Sequence, residues 1–238
     1  MGRAHEVRKA DMAKTAAMKS AIYGRAAKEI YMAAKQGGTD PNANLALRSA
    51  IDKAKSKQVP TDTIERAIKK AAGVSNESFL SNRYEGYGPG NVAIIVDSLT
   101  SNVNRAIAEI KDVFKKNDGK IGVSGSVSHM FQATSVFAFD SFTTEEILEK
   151  LMELDIPVND VFSQEEMTFV YAPFAAFNQV RQALDNIGVK EYKIAETTML
   201  PNDEVQITDV DKKASFNRLI DRLNELEDVQ EVYHNFTE

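Results

Sequence analysis

The sequence predicts an α+β protein with several domains, in which a basic helical head precedes an acidic body of alternating strands and helices. The 238 residues exceed what one small core holds. Alanine, lysine and methionine dominate the first 36 residues and favour helix, whereas strand and helix patterns alternate from residue 91 onward. Charge divides the chain in a similar way, because residues 1–73 carry a net charge of +8 and the remainder carries −14. This division predicts a polyanion-binding element attached to a body that phosphate repels.

The composition narrows the class of protein. The chain is 43% hydrophobic and 27% charged, which is typical of globular proteins. It contains no apolar run near the roughly 20 residues of a membrane helix, and no apolar segment follows the first charges as in a secretory signal. Cysteine is absent, which excludes disulfides, thiolate metal sites and cysteine nucleophiles. We therefore expect a cytoplasmic protein with no membrane partner.

Three helices are predicted in the head, which we define as residues 1–76. Gly37-Gly38 is predicted to end the first helix, and Thr39 or Asp40 to cap the second, with Pro41 in its first turn. Val59-Pro60 ends the second helix. The third begins at the capping-box pair Asp62 and Glu65 and ends at Gly73. Apolar stripes on the second and third helices consist of Leu47, Ala50, Ile51, Ala54, Ile64, Ala67, Ile68 and Ala71. These stripes predict a small helical bundle.

The body, residues 77–238, is predicted to contain two ferredoxin-like α/β domains, one inserted in the other. After a linker and structured turn at 74–90, the predicted elements are strand 92–97, helix 102–116, strand 126–131, strand 136–140, helix 144–154, strands 158–163 and 168–171, helix 174–187, strand 192–198, strand 204–207, helix 212–226 and strand 229–236. The middle six have the β-α-β-β-α-β order of a ferredoxin-like domain. The two flanking halves cannot each bury a sheet face alone, so we expect them to pair. The predicted domains are 1–76, then 77–133 joined with 204–238, with 134–203 inserted.

The basic residues of the first helix are the main candidates for binding nucleic acid. If residues 3–35 form one helix, Arg3, Lys14 and Arg25 repeat every 11 residues, close to three turns. Lys28 and Lys35 fall on the same arc, which is about 80° wide. The remaining basic residues lie elsewhere on the helix: Arg8, Lys9 and Lys19. This ridge predicts contacts with phosphates along a backbone, unless it is a solvated face or Gly24 breaks the helix.

The segment Tyr84–Gly90 has two open interpretations. Its glycines could present backbone N–H groups to a phosphate while Tyr84 and Tyr87 stack on bases. It could equally be a rigid turn between domains. The alternating aromatic residues further on are interpreted as core: Phe137, Phe139, Phe169 and Tyr171. The inserted domain is a poor phosphate surface, because residues 135–204 contain 4 basic and 14 acidic side chains.

Catalysis is not expected. Gly119, Gly122 and Gly125 are not followed by the Gly-Lys-Ser/Thr of a phosphate loop, which favours turn positions. His129 and His234 could approach each other across a shared sheet, but two histidines without a placed acid favour a structural role. We therefore predict a monomer without a cofactor, a metal or an enzymatic activity.

Several stretches resemble the YebC/PmpR family, and the similarity extends over essentially the whole chain. They are Ala33–Pro41 with Asn44, Val59–Ile64, Tyr84–Gly90, Leu99–Arg105, Gly125–Phe131 and Val229–His234, of which Tyr84–Gly90 is the most specific. The family's usual Ser-Lys-Trp-Ala-Asn-Ile-like opening is replaced here by Gly2–Arg8, and tryptophan is absent. In this respect the chain resembles the shorter YeeN-type subgroup.

The resemblance implies a helical head, two α/β domains and a role in gene expression. Family members are described as DNA-binding transcriptional regulators, and relatives resemble translation factors, including mitochondrial translational activators. The resemblance therefore implies a nucleic-acid partner, either ribosomal RNA or duplex DNA. The acidic body favours the ribosome, because it tolerates a few RNA contacts better than a wrap around duplex DNA. A small-molecule sensor is a third possibility, without identifiable ligand residues.

Overall fold

The computed structural model describes residues 3–73, 78–164 and 166–237, with the backbone alone for residues 3–17. Its helices are α1 Arg3–Gly37, α2 Leu45–Ser56, α3 Thr61–Ala72, α4 Val103–Lys116, α5 Thr144–Glu153, α6 Phe177–Ile187 and α7 Val210–Glu225. Its strands are β1 Leu80–Tyr87, β2 Ala93–Thr100, β3 Lys120–Ile121, β4 Phe131–Phe139, β5 Asp160–Gln164, β6 Met167–Pro173, β7 Ile194–Pro201, β8 Val205–Gln206, β9 Val229–His234 and β10 Phe236–Thr237. The predicted fold class is confirmed.

The head is a three-helix bundle. Helix α1 runs without interruption through Gly24, where an added Cβ would meet nothing within 4 Å. Its buried residues between Ala26 and Ala34 pack against the predicted stripes of α2 and α3, of which only Ile68 is half-buried rather than buried. The apolar periodicity therefore predicted this core correctly.

The starts of α2 and α3 differ from the prediction. Helix α2 begins after Asn44, not at Thr39 or Asp40, because the Asn44 side chain accepts a hydrogen bond from the Leu47 N–H. The same amide donates to the carbonyls of Ala33 and Gly38, so one residue both caps α2 and fixes the turn after α1. Helix α3 begins after Pro60 without a side-chain cap.

The inner sheet, defined as β5-β6-β4-β7, has the strand order of a ferredoxin-like domain and is antiparallel throughout. Helices α5 and α6 cover one face, where Phe137 and Phe139 are fully buried as predicted. The core assignment of Phe169 and Tyr171 is wrong. Both are half-buried and pack with Phe162 on the opposite face, with centroid separations of 5.2 and 5.1 Å.

The outer sheet, defined as β3-β1-β2-β9, joins segments on both sides of the insertion. Strand β9 pairs antiparallel with β2, and α4 and α7 contribute to the core against these strands. The predicted nesting is therefore present, while the exact domain boundaries stay a prediction. Strands β8 and β10 form a separate parallel pair, so the predicted strand 204–207 does not join the outer sheet as expected.

Two further strand predictions for the outer sheet are wrong. Residues 80–87 form the strand β1 rather than a linker, because polar and glycine residues obscured the strand pattern. Residues 126–131 do not form a strand of this sheet, since a 3-10 turn spans Ser128–Met130 and Phe131 begins β4. Residues 74–77 of the predicted linker lie outside the described residues.

Candidate nucleic-acid interface

The predicted basic ridge lies on a continuous helix, but its members have different surroundings. The side chains of four of them lie outside the described residues: Arg3, Arg8, Lys9 and Lys14. Lys19 and Lys35 are exposed, whereas Arg25 and Lys28 are partly buried. The helix backbone thus meets the condition for the 11-residue alignment, and the environment of each cation decides its use.

Arg25 and Lys28 bind the body. The Arg25 guanidinium donates to the backbone carbonyl of Asn224 and, at 3.4 Å, to its side-chain oxygen. Burial lowers the pKa of Arg25, although Glu231 acts in the opposite direction. Lys28 Nζ donates to Asp228 Oδ1 at 3.0 Å. Both of these predicted phosphate ligands are therefore engaged at the head–body contact in this structure.

Asp228 is the centre of this contact. Its Oδ2 accepts hydrogen bonds from Thr100 Oγ1 at 2.8 Å and from Arg105 Nη2 at 2.7 Å, while Oδ1 accepts from Lys28. Burial raises the pKa of this carboxyl, but the bonds from Arg105, Lys28 and Thr100 outweigh burial and hold the pKa below its ordinary value. One buried carboxylate therefore connects α1, β2 and α4.

A second carboxylate, Glu231 on β9, forms ion pairs with lysines of α2 and of its C-terminal end. Its Oε1 lies 3.0 Å from Lys53 Nζ and 3.1 Å from Lys57 Nζ. Burial raises the pKa of Glu231, but the two lysines outweigh burial and lower it overall. In a third contact, Arg181 on α6 of the inserted domain (hereafter the inner domain) donates a hydrogen bond to Asp52 of α2 at 2.8 Å. The head is therefore oriented by ion pairs with both parts of the body.

Other head cations are exposed on α2 and α3. They are Lys55, Arg66, Lys69 and Lys70. Together with Lys19 and Lys35 on α1, they outnumber the exposed acids among the head's described side chains, which are Asp40, Asp62 and Glu65. We call this exposed, predominantly cationic set the outer surface of the head. This division between inward and outward cations could not be derived from the helical repeat.

The tyrosines of the glycine-rich segment have structural contacts. Tyr84 is half-buried and packs against the outer-sheet core. Tyr87 donates its hydroxyl to the Ser126 carbonyl at 3.2 Å and keeps 37% exposure. At Gly88 an added Cβ would lie 2.8 Å from the Ile94 side chain, and Gly90 has a φ of +73°. The turn between β1 and β2 thus requires glycine for close packing and for its backbone conformation.

Sequence reasoning missed Glu85, which is buried between these tyrosines. Its carboxylate accepts hydrogen bonds of 2.8 Å from the backbone N–H groups of Gly125, Val127 and Ser128. Burial raises the pKa of Glu85, but these bonds outweigh burial and lower it overall. Glu85 therefore fixes the loop that precedes β4. The available signal was an acidic residue inside the most family-specific stretch.

The two histidines with described side chains, His129 and His234, have different surroundings. His234 packs against the rings of Phe216 and Phe236, and burial lowers its pKa. His129 is exposed, and its Nδ1 lies 3.4 Å from the Gly125 carbonyl oxygen. Within residues 3–73, 78–164 and 166–237, no group of three His, Asp or Glu side chains is placed to hold a metal ion. In the same residues no helix is both long and apolar enough to cross a membrane.

The architecture defines a class of three-part α+β proteins with a basic helical head held by an acidic, nested α/β body. The family model described as TACO1/YebC protein N-terminal domain matches residues 3–74. The model described as TACO1/YebC second and third domain matches residues 79–236. The chain belongs to the TACO1/YebC family.

Relatives and a solved structure agree with this assignment. A probable transcriptional regulatory protein of Mesoplasma florum is 57% identical over 238 residues, covering 100% of both chains. A probable transcriptional regulatory protein of Pseudoalteromonas atlantica is 48% identical, covering 99% of this chain and 97% of the relative. The crystal structure of the conserved hypothetical protein Aq1575 from Aquifex aeolicus has a TM-score of 0.75 and 36% identity. That match covers 92% of this chain and 90% of the other.

Proposed function

We propose that this protein is a non-enzymatic, nucleic-acid-binding regulator of gene expression that binds ribosomal RNA through the outer surface of its head and acts in translation. One observation carries the proposal. The head cations divide into an inward set paired with the body and an outward set on α1, α2 and α3. Solvent-exposed cations attract phosphate and release counterions when they bind it.

The acidic body favours ribosomal RNA as the target. The inner domain carries 14 acidic against 4 basic side chains over residues 135–204. A duplex that wrapped around the protein would meet this surface, whereas RNA reached by the head alone would not. The aromatic group of Phe162, Phe169 and Tyr171 does not alter this argument, because Asp160 is the register partner of Tyr171 and so lies on the same face of the inner sheet.

Duplex DNA is the second candidate, and the names of the relatives support it. Both relatives described above are called probable transcriptional regulatory proteins. Ultraviolet crosslinking in cells, followed by sequencing of the bound nucleic acid, separates the two. We expect reads concentrated in ribosomal RNA, and reads concentrated in promoter DNA would refute the translational role.

Charge reversal in the full-length protein tests the head surface. The head variant Lys19→Glu, Lys55→Glu and Lys69→Glu changes three exposed lysines. The matched body variant changes the net charge equally by altering three other exposed lysines: Lys111→Glu, Lys115→Glu and Lys190→Glu. We expect the head variant to lose about tenfold or more in RNA affinity and the body variant to change by only a few-fold. Equal losses would show that net charge alone matters.

A further inference from the structure

A cleft opens between α1, α3 and the residue before β1. Its volume is about 240 Å³. Helix α1 contributes Ala27, Lys28 and Tyr31, α3 contributes Arg66, Ala67 and Lys70, and Phe79 closes one side. This volume is below the roughly 300–1,000 Å³ of pockets for drug-sized ligands, so the cleft suits one ring system.

The cleft is open because the helices carry small residues there, and its walls are fixed in place. Ala27 and Ala67 leave the space that larger side chains would fill. Tyr31 and Phe79 meet edge to face, with ring centroids 5.9 Å apart and planes at 83°. Lys28 Nζ lies 5.8 Å from the centre of the Phe79 ring and is itself held by Asp228. The head–body contact therefore orients one wall of the cleft.

The rim of the cleft is cationic. Arg66 is 72% exposed in its side chain and pairs with Asp62. Lys70 Nζ lies 5.9 Å from the centre of the Tyr31 ring. A planar guanidinium binds phosphate oxygens in pairs, and aromatic rings stack on bases of any sequence. An apolar interior with a cationic rim therefore fits a flat aromatic group that carries a nearby anion.

We propose that this cleft binds one unpaired nucleobase, with the base against Phe79 and its phosphate at Arg66 and Lys70. The inference rests on the proposed function and narrows it to unpaired segments, because a base inside a duplex cannot enter a cleft of this kind. An apolar side chain of a partner protein would use the aromatic wall but would gain nothing from the two rim cations, Arg66 and Lys70. The charge therefore favours a nucleotide as the occupant.

The test uses the full-length protein and an RNA hairpin with 2-aminopurine in its loop, compared with a fully paired duplex of the same length. The chain contains no tryptophan, so the probe is read without indole fluorescence. Phe79→Leu keeps an apolar side chain but removes the ring, whereas the separate variant Phe79→Tyr keeps an aromatic ring. Phe174→Leu removes an exposed aromatic ring from the body and serves as the matched control.

We expect the hairpin probe to be quenched by the wild type, by Phe79→Tyr and by Phe174→Leu. Phe79→Leu should lose the quenching and about 5- to 100-fold in hairpin affinity, while its duplex affinity stays unchanged. Ala27→Leu, which fills the cleft, should have the same effect, whereas Ala72→Leu at the exposed end of α3 should not.

Two results would overturn the inference and differ in what else they refute. Salt-dependent hairpin binding that Phe79→Leu and Ala27→Leu leave unchanged would refute the base-binding cleft alone, and a protein side chain would then be the better occupant. A wild-type protein that binds neither the hairpin nor the duplex would refute the cleft together with the proposed function.

Discussion

Replacing Asp228 with asparagine tests whether one buried carboxylate holds the head on the body. The carboxylate accepts hydrogen bonds from Lys28, Thr100 and Arg105, and its side chain is 4% exposed. Asparagine keeps the volume but removes the negative charge and turns an amide donor towards groups that are themselves donors. We expect Asp228→Asn to destabilise the protein and to loosen the head in particular.

The expected magnitude follows from the burial of each partner. The Lys28 side chain is only 12% exposed, so its charge is left without a counterion when Asp228 is neutralised. Arg105 is half-exposed and regains water, so we assign it no share of the loss. Hydrogen bonds to charged groups contribute about 1.5–3 kcal/mol, and breaking a buried pair from one side costs about 3–5 kcal/mol. We therefore expect a loss of about 2–4 kcal/mol in the free energy of unfolding.

Urea denaturation followed by far-ultraviolet circular dichroism measures this loss, and hydrogen exchange of α1 amides locates it. Asp112→Asn is the control, because it breaks an exposed pair with Lys116 and should change stability by less than about 1 kcal/mol. In a double-mutant cycle, Lys28→Met should recover part of the loss, since no stranded ammonium remains. An Asp228→Asn protein as stable as the Asp112→Asn control would refute the assignment of Asp228 as the centre of the head–body contact.

Three further predictions concern pH, backbone packing and salt. The pKa of Glu85 is lowered in the folded state, so its carboxylate stabilises the fold fully above the ordinary carboxyl pKa of about 4.3. This stabilisation is lost as the pH falls through the pKa of the folded state. Glu85→Gln should therefore be less stable at pH 7, and its urea midpoint should depend less on acid pH. Gly24→Ala should raise the free energy of unfolding by about 0.5–1 kcal/mol, since nothing opposes a Cβ there. Gly86→Ala should lower it, because a Cβ would lie 2.5 Å from the Lys120 carbonyl, and thermal melts showing the same sign for both glycines would contradict this. RNA affinity should fall with salt with a log–log slope of about −2 to −3 for two to three phosphate contacts, and a slope near zero in a titration by fluorescence anisotropy would contradict head binding through phosphates.

Local patterns in the sequence determined the helices and the inner domain. Apolar residues at helical spacing identified the faces of α2 and α3 that close the head, because residues three or four positions apart lie on the same face of a helix. The β-α-β-β-α-β order of the predicted elements identified the inner sheet, because this order is typical of a ferredoxin-like domain. Strand β1 was missed because its burial pattern does not alternate cleanly and Glu85 is a buried charge within it.

The sequence by itself determined that a basic helical head precedes an acidic nested body, since charge and periodicity are properties of the chain. Only the tertiary structure decided which cations face outward. Arg25 and Lys28 share a helical arc with other candidates, yet they form hydrogen bonds with Asn224 and Asp228, which are about 200 residues away in the sequence. The structure likewise placed Phe79 beside Tyr31 to form a cleft. Contacts between residues far apart in sequence depend on how domains pack, and helical periodicity carries no information about that packing.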